Sequence, residues 1–355
     1  MQKKVSGLVK KAVYSILGAG FVFTFCSCQD PIFYHINQEV KLEEASIFGD
    51  IYEIARYNYG GEERLYFANG YIYYKAVDAD GYGKWHKCSK PSGHVLSVAA
   101  DSNALYALVF GSERNDLRGE MQISSKRIYK STDGGATWVL NDTDGSGTEG
   151  LSDKVAALGK GSAVEIMSTN AMTNSNRKAY IVIKGEAFDL SDGSAVTAGN
   201  GKHSCAYAGG VKFYSSASAC SDPSGTKIFA SSGAKIYVYN SSGTVIEEFM
   251  TSVGVIYGIA VFDNGNEVLV TSSSGSALYR KTGSSWNEVE YANLTSTVSS
   301  LYEGYYAIAA DPSKSALETA AYAAIAVEGN GSNSAQFTHE GLWAYYPARG
   351  KWNIE

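Results

Sequence analysis

Ile128-Tyr129-Lys130-Ser131-Thr132-Asp133-Gly134-Gly135-Ala136-Thr137-Trp138 is the stretch from which the fold can be read. An aliphatic–aromatic pair leads into a polar tight turn, and Thr137 starts the next strand. Asp133 is placed to accept backbone N–H bonds across the turn. Gly134 and Gly135 can take the positive φ that the reversal needs. Trp138 can lay its ring over the hairpin.

Working outward, the same cassette recurs six times. It begins with a short apolar strand: Leu65-Tyr66-Phe67, Leu105-Tyr106-Ala107, Ala179-Tyr180-Ile181, Ile228-Phe229-Ala230, Val268-Leu269-Val270 and Ala321-Tyr322-Ala323. A second strand follows, at Ile72-Tyr73, Ile128-Tyr129, Ala187-Phe188, Ile236-Tyr237, Leu278-Tyr279 and Leu342-Trp343. A polar turn then leads to a closing strand headed by Trp85, Trp138, Trp286 or Trp352, with weaker versions at Ala195-Val196 and Val245-Ile246. Upstream of most pairs lies one more apolar run, such as Val95-Leu96-Ser97-Val98, Ile256-Tyr257-Gly258-Ile259 and Tyr306-Ala307-Ile308-Ala309. Each unit is therefore a four-stranded meander of blade length. One such sheet cannot bury both its faces, whereas a radial stack of them can. The expectation is an all-β chain folded as a six-bladed β-propeller of four-stranded antiparallel blades. Seven blades is the alternative count, since a further blade could lie in the least regular stretch, Gly111 to Arg177.

The Ser131–Trp138 segment resembles the Asp-box, or BNR repeat, written S-x-D-x-G-x-T-W, and matches it at Ser131, Asp133, Gly135, Thr137 and Trp138. Asp80 precedes Trp85 by the same interval, and Lys281-Thr282-Gly283-Ser284-Ser285-Trp286 keeps the Gly and Trp without the Asp. The resemblance is to the sialidase-like and sortilin-like propellers, which include photosystem assembly factors. It implies that these residues are a fold element at the blade periphery rather than an active site. Sialidases on this fold also use an arginine triad, a Tyr–Glu pair, an acidic Asp and an Arg-Ile-Pro-like segment. No Arg-x-Pro occurs here, and the arginines are few.

The first residues read as an export signal. Lys3, Lys4, Lys10 and Lys11 precede an uncharged stretch from Ala12 to Phe25, too short for a comfortable membrane span. Phe25-Cys26-Ser27-Cys28-Gln29 then resembles a relaxed bacterial lipobox, with Cys28 favoured because Ser27 is small. This divides the chain into a lipoprotein signal peptide over 1–27, a lipid-anchored tether over 28–45 and a propeller over 46–355. By analogy, Gln29 after Cys28 leans toward the outer membrane of a bacterial envelope. Removing residues 1–27 takes away four lysines and no acid, moving the formal charge from −6 to −10. An acidic chain without a basic run is a poor nucleic-acid binder, so the expected partners are the membrane, through the anchor, and a protein or glycan.

Catalytic patterns are missing: there is no G-x-S-x-G elbow, P-loop or HExxH, and the five histidines are scattered. No cofactor is expected, with calcium as the one alternative. Asp142, Asp144, Ser146 and Asp153 fall at the ligand positions of a calcium loop, with Gly147 at its turn position. The loop departs from that pattern at Glu149 and ends on Asp rather than Glu, so an acidic Gly-rich linker is the competing explanation. Cys205 and Cys220 are the nearest candidates for a disulfide in an exported chain. The functional expectation is a membrane-anchored, non-enzymatic binding or assembly module, with a glycan-active hydrolase using an unrecognised carboxylate pair as the alternative.

Overall fold

A computed structural model of the chain describes residues 47, 51–77, 84–115, 120–142, 150–158, 164–172, 176–184, 186–196, 204–208, 211–215, 219–272, 274–294, 302–327 and 341–355. At 112–115, 120–124, 204–208, 211–215, 302–306 and 325–327 the description is of backbone alone. Blade one is β1 (Ile54–Tyr59), β2 (Glu62–Ala68), β3 (Ile72–Ala76) and β4 (His86–Lys87). Blade two is β5 (His94–Ala100), β6 (Leu105–Asn115), β7 (Glu120–Ser131) and β8 (Val139–Leu140). Blade three is β9 (Val164–Ser168), β10 (Ala179–Ile183), β11 (Glu186–Asp189) and β12 (Ala195–Val196). A separate hairpin, β13 (Ser204–Ala208) and β14 (Val211–Ser215), follows. Blade four is β15 (Ala219–Ser221), β16 (Lys227–Ser232), β17 (Lys235–Asn240) and β18 (Val245–Met250). Blade five is β19 (Ile256–Phe262), β20 (Glu267–Ser272), β21 (Gly275–Thr282) and β22 (Ser285–Val289). Blade six is β23 (Tyr302–Ala309), β24 (Ala321–Val327), β25 (Gly341–Tyr346) and β26 (Lys351–Ile354). Among the described residues one α-helix, α1 (Leu151–Ala156), precedes blade three.

Every four-stranded sheet pairs its strands in chain order and antiparallel, the meander that the repeat predicts. Burial orders the strands within a blade. β10, β20 and β25 are buried at every position, whereas β4 is exposed throughout and β18 alternates between exposed and half-buried. The first strand of each blade is the inner one and the fourth the outer one. Five apolar clusters each span two neighbouring blades: one to two, two to three, four to five, five to six, and six to one. The last of these, with Ile54, Leu65 and Phe67 against Tyr322, Leu342 and Tyr346, closes the ring. Sheets stacked face to face around an axis bury both faces and leave only short outer edges, which makes this a β-propeller.

The remaining seam differs. Between blades three and four, β13 lies against β9 on one side and against β15 and β16 on the other. The ring is therefore six four-stranded blades with a two-stranded hairpin wedged into it. Among the described residues the extra sheet sits at 204–215, and not in the Gly111–Arg177 stretch. That stretch is irregular for other reasons: β6 and β7 run on as a paired arm from Gly111 to Asn115 and from Glu120 to Ser125, past the ends of their sheet neighbours. Helix α1 then packs on β7 before blade three begins.

The closing-strand tryptophans do more than cover their own hairpins. Trp138 does lie against Gly135 of its own turn. Its indole N–H, however, donates to the Ser89 carbonyl of blade one, at 3.1 Å. Trp85 donates to Glu355 beside blade six (2.8 Å), Trp286 to Glu247 on β18 of blade four (2.9 Å), and Trp352 to the Ala292 carbonyl after blade five (2.9 Å). Each of the four latches back onto the blade before it in the ring. A Trp suits this position because it joins a large apolar body to one directional donor.

Candidate functional site

The turns between first and second strands, and those between third and fourth, share one rim of the propeller. An acid or amide follows the inner strand in turn after turn. Asp101 accepts the Asn103 and Ala104 N–H bonds (2.7 and 2.8 Å). Asp222 accepts those of Thr226 and Lys227 (2.7 and 2.8 Å), and Asp311 accepts that of Ser313 (3.1 Å). Asn170 stands at the same place in blade three. On the outer side of this rim Asn240 accepts the Thr244 N–H (2.9 Å). Short polar side chains that bond their own backbone two to five residues on set these reversals. The sequence signal was an acid directly beyond the inner strand, as in Val261-Phe262-Asp263 and Ala309-Ala310-Asp311.

The Ser131–Trp138 turn is the most complete of the set. The Thr137 N–H and hydroxyl donate to the two Asp133 oxygens (2.8 and 2.5 Å), and the Ser131 hydroxyl donates to Asp133 Oδ1 (2.8 Å). The Gly135 N–H returns a bond to Ser131 Oγ (2.9 Å). Gly134 and Gly135 hold φ of +70° and +89°, and any Cβ on Gly134 would meet the Tyr59 ring at 2.7 Å. These bonds, led by the Thr137 hydroxyl, hold the Asp133 carboxyl down at about 2. A pKa depressed by folding contributes stability above the unfolded value of about 4, and that contribution is lost as pH falls toward the folded value. Asp133→Ala is expected to cost about 1 kcal/mol at neutral pH, like the loss of a helix cap. Urea unfolding of the wild type and the variant should converge as pH falls from about 4 toward 2.

The β1–β2 hairpin leans across this rim onto the turns of blade two. The Tyr57 hydroxyl donates to the Asn103 carbonyl (3.1 Å), and the Tyr66 hydroxyl to that of Gly134 (3.3 Å). Blades one and three bond directly across blade two. The Arg56 N–H donates to Asn170 Oδ1 (2.7 Å), Asn170 Nδ2 donates to the Ile54 carbonyl (2.8 Å), and the Ser168 N–H donates to Glu53 Oε1 (3.0 Å). The Arg56 guanidinium reaches the other way, giving Nη1 to the Ala310 carbonyl (2.9 Å) and Nη2 to that of Ala309 (2.5 Å). Arg177 gives Nε to the Ala171 carbonyl (2.9 Å) and brings Nη2 within 2.8 Å of Glu63 Oε1, out of line for a hydrogen bond. Both guanidinium groups are 1% exposed. Burial pushes Arg56 down to about 10, with Glu63 opposing the shift and Arg177 adding to it. Burial also lowers Arg177, again against Glu63. Arg56 Nε and Arg177 Nη1 remain without a hydrogen-bond partner.

No family model and no curated protein matches this chain. Among solved structures it is similar to a chain described as "Crystal Structure of Mitotic Checkpoint Complex", at 9% identity and a TM-score of 0.46, covering 79% of this chain and 90% of that one. The propeller assignment rests on the strand order and burial given above.

The other residues singled out from sequence are placed as follows. Cys28 lies outside the described residues, as do the uncharged stretch before it and Asp80. Among the described residues no helix is long and apolar enough to cross a membrane. In the calcium-like loop, Asp144 and Ser146 lie outside the described residues, Asp142 is exposed, and Asp153 is exposed on the first turn of α1. Among the described residues no group of three or more His, Cys, Asp or Glu comes together. Cys220, on β15, carries a free thiol that donates to the Ser221 carbonyl (3.4 Å); Cys205 is on β13, but its side chain is outside the described residues. Sequence reading passed over Arg56 and Arg177, since neither belongs to a motif.

Proposed function

We propose that this chain is a lipid-anchored, non-catalytic propeller of a bacterial cell envelope, modified on Cys28 and acting as a binding or assembly module for a protein or glycan. In this reading the Ser131–Trp138 turn is an Asp-box in its structural role. One observation carries the non-catalytic part. The carboxylates gathered at the rim and seams are engaged in holding the fold: Asp101, Asp133, Asp222 and Asp311 close turns, and Glu267 pairs with Arg280 at 2.6 Å. A glycoside hydrolase needs two carboxyl groups that face substrate. The basic segment and Cys28 support the anchor, which would place the ring at a bilayer surface.

The reading is tested on protein purified from membranes. Mass spectrometry is expected to find acyl chains on Cys28, and Cys28→Ala is expected to shift the protein out of the membrane fraction. A panel of glycosides and sialosides is expected to show no turnover. An unmodified Cys28 would overturn the anchor, and sustained turnover would install the hydrolase alternative in place of the binding module.

A further inference from the structure

We propose that the seam between blades three and four accepts an extended β-strand of a partner protein, paired to the outer edge of β14. The chain supplies two strands at this seam, whereas each blade supplies four. Among the described residues β14 pairs with β13 alone, so its other edge presents a row of N–H and C=O groups outside any ladder. Connectivity rules out a third strand from the adjoining chain. The three residues 216–218 that join β14 to β15 are too few for a strand and its turns. The seven residues 197–203 between β12 and β13 reach about 29 Å at most. Returning from a fourth strand to an inner one uses about 14 Å of that, and running along β14 would need about 17 Å more.

The flanking blades carry the matching signature in their side chains. Every other seam is closed by an apolar cluster that spans two blades. Here Met167, Tyr180, Val182 and Ala187 form a cluster within blade three, and Ala219, Ile228 and Ala230 form one within blade four. The hairpin lies against β15 and β16, the inner strands of blade four. Cross-strand partners share a face, and the face of Ile228 and Ala230 continues outward through Tyr239 and Tyr237 to Val245 and Glu248, with Lys235 and Met250 beyond. Val245 is 43% exposed and Met250 65%, with the bulge residue Ile246 beside them at 45%. The Lys235–Glu248 ion pair (2.7 Å) borders this apolar surface. These features define the occupant. It pairs its backbone with β14 over about five residues and turns every second side chain, apolar, onto the outer face of blade four, the mode of strand addition. A glycan has no row of main-chain donors and acceptors to offer, which decides for a protein. The inference rests on the binding-module reading and narrows it. The two fail separately, since an acylated Cys28 and an absence of turnover can both hold while nothing docks at this seam.

The test uses the full chain in native membranes. The photocrosslinker benzoylphenylalanine, placed at Met250, is expected to join one extended segment of one other protein, which mass spectrometry of the product identifies. The same group at Val139, a comparably exposed position on β8, is expected not to reach that segment. Val245→Asp should lower the crosslinked yield about tenfold, because docking would desolvate the new carboxylate. Val245 is exposed, so this variant is expected to keep the wild-type melting temperature. In the purified crosslinked complex the β14 amides are expected to exchange with solvent more slowly than in the protein alone. No product from Met250, or the same product from Val139, would overturn the proposal. So would products that end on a glycan, on a second copy or on residues 1–46 of this chain. A yield that Val245→Asp leaves unchanged, or β14 amides that exchange as before, would also overturn it.

Discussion

Trp352→Ala is expected to destabilise the protein by about 3–5 kcal/mol, the range for emptying a fully buried aromatic site. Trp352 is 1% exposed and lies in the cluster joining blades five and six, beside Leu278, Trp343 and Tyr345. Its ring centroid is 5.9 Å from that of Tyr345. Its N–H bond to Ala292 ties the outer strand of one blade to the exit of the blade before it. Trp352→Phe separates the two contributions. It keeps most of the apolar volume and leaves the Ala292 carbonyl with only the long bond from the Ser276 hydroxyl (3.5 Å), which costs about 1 kcal/mol. Chemical denaturation read by tryptophan fluorescence and by circular dichroism checks both values. If Trp352→Ala costs less than Trp352→Phe, the ring is not packed as described.

Glu355→Gln is expected to cost about 3 kcal/mol, because it disturbs a buried charged pair at the seam between blades six and one. Glu355 Oε1 accepts from the Tyr346 hydroxyl (2.7 Å) and Oε2 from Trp85 (2.8 Å), and Oε2 lies 3.6 Å from Lys75 Nζ. The side chains of Lys75 and Glu355 are 2% and 6% exposed. Lys75 also donates to the Tyr346 hydroxyl (2.8 Å) and stands over the rings of Trp85, Tyr322 and Tyr346. The Glu355 carbonyl accepts the Ile47 N–H at 3.1 Å, so the first described residue meets the chain just past the last strand here. A double-mutant cycle with Lys75→Met should return a coupling energy of about 1–3 kcal/mol, since removing both charges leaves no buried orphan. Additive losses would mean that the pair does not act as a unit.

How much of this was legible depends on how far apart the interacting residues lie in the chain. Second strands were readable because they are buried on both sides and therefore nearly continuous apolar runs, such as Val268-Leu269-Val270, and third strands by the aliphatic–aromatic pair that opens them. Trp85, Trp138, Trp286 and Trp352 marked the closing strands correctly, but their backward hydrogen bonds cross a blade boundary and leave no local pattern. Inner strands were harder to see: Arg56 interrupts β1, Glu165 interrupts β9, and β15 has only three residues. The hairpin at 204–215 carries neither a Trp nor a four-strand cassette, so nothing in its residues distinguished it from a connection. Arg56 could not have been singled out from sequence at all. Its surroundings are assembled by contacts at separations of 114 and 254 residues, which exist only once the ring is shut.

Ring closure is most directly tested by native-state hydrogen exchange in the wild type and in Glu355→Gln. A closed ring predicts that inner-strand amides of β1 and of β23 share the highest protection in the wild type, and that the substitution lowers both sets together. Loss of protection in blade six alone, with β1 unaffected, would contradict a sealed seam and leave the blades as a row with two free ends.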